Sequence, residues 1–69
     1  MMPNNVYVVM SRSSDNAYAL GVYFRLEDAQ KHLQDIAFMT KNPQWVNDSK
    51  TSFTNNYRTY YIDSTHLYS

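Results

Sequence analysis

At Leu26 the chain changes its hydrophobic period, and that change limits what it can fold into. From Leu26 to Thr40, Ala29, Leu33, Ile36, Ala37 and Thr40 fall on one stripe at helical spacing, while Gln30, Lys31, Gln34, Asp35 and Lys41 lie elsewhere. Glu27 and Asp28 occupy the first turn, where the helix dipole favours negative charge. Lys41-Asn42-Pro43 closes the segment, because the residue before proline is pushed out of helical geometry. The spacing predicts one helix over Leu26–Thr40.

The flanking segments read as strands. "VYVVM" (Val6 to Met10) is β-branched and aromatic with no breaker, and its near-continuous apolarity suits a central strand. The turn-formers of "SRSSDN" (Ser11 to Asn16) join it to "AYALGVYFR" (Ala17 to Arg25), which makes an antiparallel hairpin. "YRTYYID" (Tyr57 to Asp63) is the last strand. "QWVNDSKTSFTNN" (Gln44 to Asn56) is polar apart from Trp45 and Phe53, and reads as a loop or a loop holding a short strand. The order strand, strand, helix, strand, with a right-handed crossover, predicts a single α+β domain over residues 1–69. Its sheet is three-stranded and antiparallel in the order 2-1-3, with one helix packed on one face.

Alternation divides each strand between two faces. The aliphatic sets Val6, Val8, Met10 and Leu20, Val22, Phe24 are expected beneath the helix with Leu33 and Ile36, joined by Ile62 and Tyr60. Tyr7, Val9, Tyr23, Thr59 and Tyr61 are then expected on the face without a helix, with Tyr7 lying over Gly21 to shield its backbone. Whether residues 44–56 fold over that face is left open by the sequence.

A chain of 69 residues buries only about 60% of the surface its unfolded form exposes. It has no cysteine, so disulfides and thiolate chemistry are excluded and a partner becomes the natural supplement to a small core. Six basic residues balance six acidic ones. No basic stripe for duplex nucleic acid is present, nor the acidic surface of a DNA mimic. No apolar run reaches the roughly 18 residues of a membrane span, and "MMPNNVYVVM" lacks the positive region of a signal peptide. The expectation is a cytoplasmic protein.

Catalytic signals are weak. His32 and Asp35 could meet on the helix, and Asp63, Ser64 and His66 make a triad only on paper, since triads are defined by geometry. A zinc site would need more donors at close spacing. Gly21 is the only glycine, which rules out a phosphate-cradling glycine loop. The expectation is a protein that is not an enzyme, with no cofactor and no metal.

Seven tyrosines remain to be explained. Aromatic residues supply large contact area at interfaces, so Tyr7, Tyr23 and Tyr61, with Trp45 as an anchor from the long loop, are the candidate partner-binding residues. A protein partner of unknown identity is the first expectation. The alternatives are single-stranded nucleic acid stacked on the same face and a homodimer whose subunits cover it.

"VYVV", "GVYFRLEDAQ" and "YYI" resemble the small uncharacterised strand-strand-helix-strand proteins of bacteria and their phages. Those proteins read as a strand, a "G-V-F/Y-x-S-x-E-D-A" junction and a closing "Y-x-I". The resemblance covers most of the chain except Gln44 to Asn56. Arg25 stands where that pattern has a helix-capping serine, with Asp28 at the capping-box position. The resemblance implies an accessory protein of a phage or mobile element, which binds and blocks a host protein, for example a defence nuclease, by steric occupation.

Overall fold

The computed structural model describes residues 5–48, 50–55 and 57–66; the side chain of His66 is outside that description. The elements are β1 (Asn5–Arg12), β2 (Ala17–Tyr23), α1 (Leu26–Phe38), β3 (Gln44–Trp45), β4 (Ser52–Thr54) and β5 (Thr59–His66). The fold is α+β, and its sheet is antiparallel throughout in the order β2-β1-β5-β4-β3. The expected central arrangement of hairpin plus last strand is present. The sheet, however, has five strands rather than three.

The two additional strands come from the segment that the sequence left unresolved. Trp45 pairs with Phe53, and Phe53 in turn with Tyr60 of β5. With two and three residues these strands are too short to show alternation. Their turn is built by polar chemistry: Asn47 accepts from the Thr51 N–H at 3.2 Å and donates to Thr51 Oγ1 at 3.1 Å, while Lys50 takes a positive φ of 60°. The hairpin therefore widens the sheet instead of folding across the face opposite the helix.

Helix α1 begins at the predicted residue and ends at Phe38, two residues before Thr40. Thr40 instead donates its hydroxyl to the Ile36 carbonyl at 2.6 Å. Asn42, a residue that tolerates left-handed backbone, has φ 54° just before Pro43. Arg25 holds the N-cap position with extended backbone and makes no side-chain capping bond.

The helix lies on the opposite face of β1 and β2 from the one the aliphatic pattern suggests. Val9, Ala29, Leu33, Ala37 and Phe53 form the buried core, with Tyr7, Tyr23, Ile36, Trp45, Tyr60 and Ile62 packed around it. Leu20, Val22 and Phe24 are left exposed at 42%, 62% and 77%. Volume explains the inversion. The buried stripe of α1 is Ala29, Leu33 and Ala37, two of them small, so the sheet must supply bulk to reach interior packing density. The Tyr7, Tyr23, Tyr60 and Phe53 rings supply it around Val9.

Gly21 sets how closely the helix approaches. It pairs with Val9, and a Cβ at this position would stand 2.9 Å from His32 Nδ1 and 3.0 Å from Tyr23 Cε2. The glycine is thus covered by His32 and Tyr23, not by Tyr7. The register shifts between Val9 and Met10, leaving Leu20 as the unpaired extra residue of a β-bulge.

Candidate functional site

Strand pairing puts Val8 beside Val22 and Asp63, and Met10 beside Ala19 and Tyr61. These residues project from the face away from α1, because Tyr7, Val9 and Ile62 on the same strands pack against the core. Val22 lies in the second row of β2 and Phe24 just beyond its end. The result is an apolar strip running Phe24, Val22, Val8, Met10, Tyr61. No helix covers it among the described residues.

Of the four candidate partner-binding residues, Tyr61 alone lies on this face. It is half-buried, and the Arg12 guanidinium sits 5.5 Å from its ring centroid. Tyr7 and Tyr23 pair with each other beneath the helix side of the sheet. The Tyr23 hydroxyl and His32 Nδ1 are 2.9 Å apart, with the rings edge-on at 5.6 Å. Trp45 is also on the helix side, 5.1 Å from Phe53, with the Lys50 ammonium 4.9 Å from its ring centroid. Phe53 stacks in turn on Tyr60 at 5.0 Å, so three neighbouring strands carry a continuous aromatic ladder. The four residues are not one surface: three belong to the packing of the helix side.

The sequence reading missed Val8, Met10, Val22, Leu20 and Phe24 because apolar side chains were assigned to the interior by default. The signal was nevertheless present in the helix. A stripe built on Ala29 and Ala37 calls for large partners, and only the tyrosine-bearing faces of β1 and β2 provide them.

The candidate catalytic sets do not assemble. Asp63 pairs with Val8 and Ser64 with Tyr7, so their side chains leave opposite faces of β5. His66 falls outside the described side chains. Among the described residues no group of three or more histidine, aspartate or glutamate side chains is placed to hold a metal ion. No described helix is long and apolar enough to cross a membrane.

These features define a small α+β domain with its helix on one sheet face; on the other face Val6, which the aliphatic pattern placed beneath the helix, is buried at 5% exposure and Val8, Met10 and Tyr61 are half-buried. No family model matches the chain, and no curated protein or solved structure shows significant similarity to it.

Proposed function

We propose that the chain is a non-catalytic protein-binding module whose docking surface is the helix-free face of the sheet. The observation that supports this reading is the apolar strip in which Val22, Leu20 and Phe24 are exposed beside half-buried Val8, Met10 and Tyr61. Contiguous apolar surface of this kind marks interaction sites, unlike the isolated apolar residues any protein exposes. A flat strip of aliphatic side chains suits a partner with a complementary apolar patch, and binding there would act by steric occupation. Under this reading the bound protein would be blocked, as a host protein such as a defence nuclease would be by an accessory factor.

The aromatic stacking of nucleic acid is less well served. It needs several exposed rings on one face, and the helix-free face offers half-buried Tyr61 and, at the far end of the strip, Phe24, with aliphatic residues between them. A second copy of the chain remains a protein partner in this scheme, and the edge from Ala17 to Phe24 carries no charge to oppose it.

The test is Val22→Asp, a change at an exposed position that leaves the core untouched. Affinity capture with the wild-type and variant domains, alongside light scattering of each, separates the cases. We expect the variant to lose the captured partner, by about 2 kcal/mol or more if Val22 is central. Conversion of a wild-type dimer to a monomer would identify the partner as a second copy. Identical capture and identical mass for both proteins would refute the assignment of the face.

A further inference from the structure

Exposed apolar surface is concentrated on β2, and it lies on both faces of that strand. Tyr18 pairs with buried Ser11 on the helix side and is 50% exposed, while Val22 and Phe24 are exposed on the other side and Leu20 at the bulge between. Exposure that straddles a strand belongs to an edge. A partner laid flat on the helix-free face would cover Val22 and leave Tyr18 open. A strand added beside β2 lines both faces at once.

The two edges of the sheet are built differently. β3 has two residues, follows Pro43 and has the Lys50 ammonium over Trp45. Short length, proline and lysine are devices by which proteins keep an edge from pairing. β2 is an edge of seven residues with neither proline nor charge. Its one such device is the bulge at Leu20, which twists the strand without shortening it. Among the described residues no strand lies along this edge, and Ala17, Tyr18, Ala19 and Leu20 are all open to solvent.

This edge is complementary to itself. From Ala17 to Phe24 it is uncharged, with Asp15 the first charge before it and Arg25 the first after it. An antiparallel copy that overlaps the whole of Ala17–Tyr23 has its dyad at Leu20, the middle residue. The same dyad brings Asp15 of each copy beside Arg25 of the other. Both residues are exposed, and Arg25 has extended backbone, with φ −121° and ψ 137°. Between these ends apolar residues meet apolar residues on both faces. The helix flank above Tyr23 carries Asp28, Lys31 and Asp35, charges of both signs, so no field of a single sign holds two copies apart.

We infer that β2 pairs antiparallel with β2 of a second copy, joining two sheets into one. The exposed parts of Tyr18, Leu20, Val22 and Phe24 come to on the order of 500 Å² per copy. That is below the roughly 800 Å² per partner of a standard interface, so the dimer is weak and reversible. The pairing does not rest on the helix-free face as a docking surface, since it leaves Val8, Met10 and Tyr61 as exposed as they are.

Sedimentation and ¹⁵N amide spectra of the domain, from micromolar to millimolar concentration at low ionic strength, test this. We expect the mass to rise toward that of a dimer, with the accompanying shifts concentrated in the amides of residues 17–24. Arg25→Asp sets like charges together at both ends of the overlap and should weaken association by about tenfold or more. Aspartate is a good N-cap residue, so association lost in this variant is not fold lost. Adding Asp15→Arg restores opposite charges and should recover most of the affinity. A double variant no stronger than Arg25→Asp would overturn the pairing, as would a domain that stays monomeric at millimolar concentration. A dimer whose shifts centre on Met10 and Tyr61 would also overturn it, and would place the contact on the helix-free face instead.

Discussion

Gly21→Ala discriminates between the two ways of facing the sheet, because the sign of its effect differs. Gly21 has no positive φ, so alanine meets no backbone strain. On an uncovered face the change would stabilise the domain by about 0.4–1 kcal/mol, by reducing the freedom of the unfolded chain. Here the new methyl group would stand 2.9 Å from His32 Nδ1, 3.0 Å from His32 Cε1 and 3.0 Å from Tyr23 Cε2. Both rings must move, although each is the outer part of a side chain and neither contact is with backbone. The Tyr23–His32 hydrogen bond is disrupted, at about 0.5–1.5 kcal/mol. Overpacking adds roughly 1–3 kcal/mol. After the backbone gain is subtracted, a net loss of about 0.5–4 kcal/mol is expected.

Urea denaturation followed by circular dichroism measures it, with the midpoint falling at an unchanged slope. In a domain of this size each kcal/mol corresponds to a shift of about 4–8 °C in Tm. The second half of the test is the same substitution in a His32→Ala background. With the imidazole gone, the methyl group has room and the loss should shrink by at least about 1 kcal/mol, as coupled neighbours require. A Gly21→Ala domain as stable as the wild type, or more stable, would refute the placement of the helix over Gly21.

Phe53→Ala tests the sheet extension, since Phe53 is fully buried between Trp45 and Tyr60. A loss of about 3–5 kcal/mol is expected, a large share of the stability of so small a domain, and a loss below about 1 kcal/mol in chemical denaturation would contradict it. Arg25→Ser should stabilise the domain by about 0.5–1 kcal/mol, because a serine at this uncapped N-cap can accept from the first-turn N–H groups. The ion pair with Glu27 that it removes is highly exposed and of little consequence. A lowered thermal midpoint for Arg25→Ser would show that residue 25 is not the N-cap.

Much of the local structure was legible in the residues. The periodicity of Ala29, Leu33 and Ala37 defined the buried side of α1, and the hairpin of β1 and β2 followed from two apolar runs around a polar turn. Tyr60 and Ile62 were correctly placed on the core side and Tyr61 on the other, because β5 has one aliphatic residue that settles its parity. Tyr7 and Tyr23 were misplaced, and with them most of the candidate binding surface. Trp45 was recognised as an anchor within a segment read as a loop or a loop holding a short strand, whereas it pairs with Phe53 of the core in an added hairpin.

By itself the sequence determined the first hairpin, the helix and the last strand, in that order, but not the short strands β3 and β4, nor the bulge that puts Ala19 on the same side as Val22. Alternation says which residues share a face, but β1 and β2 are apolar on both faces, so it does not say which face is covered. The tertiary structure decided that through volume. A helix with alanines on its buried stripe and a glycine beneath His32 comes close to the sheet, and the remaining space fits rings better than aliphatic chains. Val22 and Leu20 are turned outward on the other face.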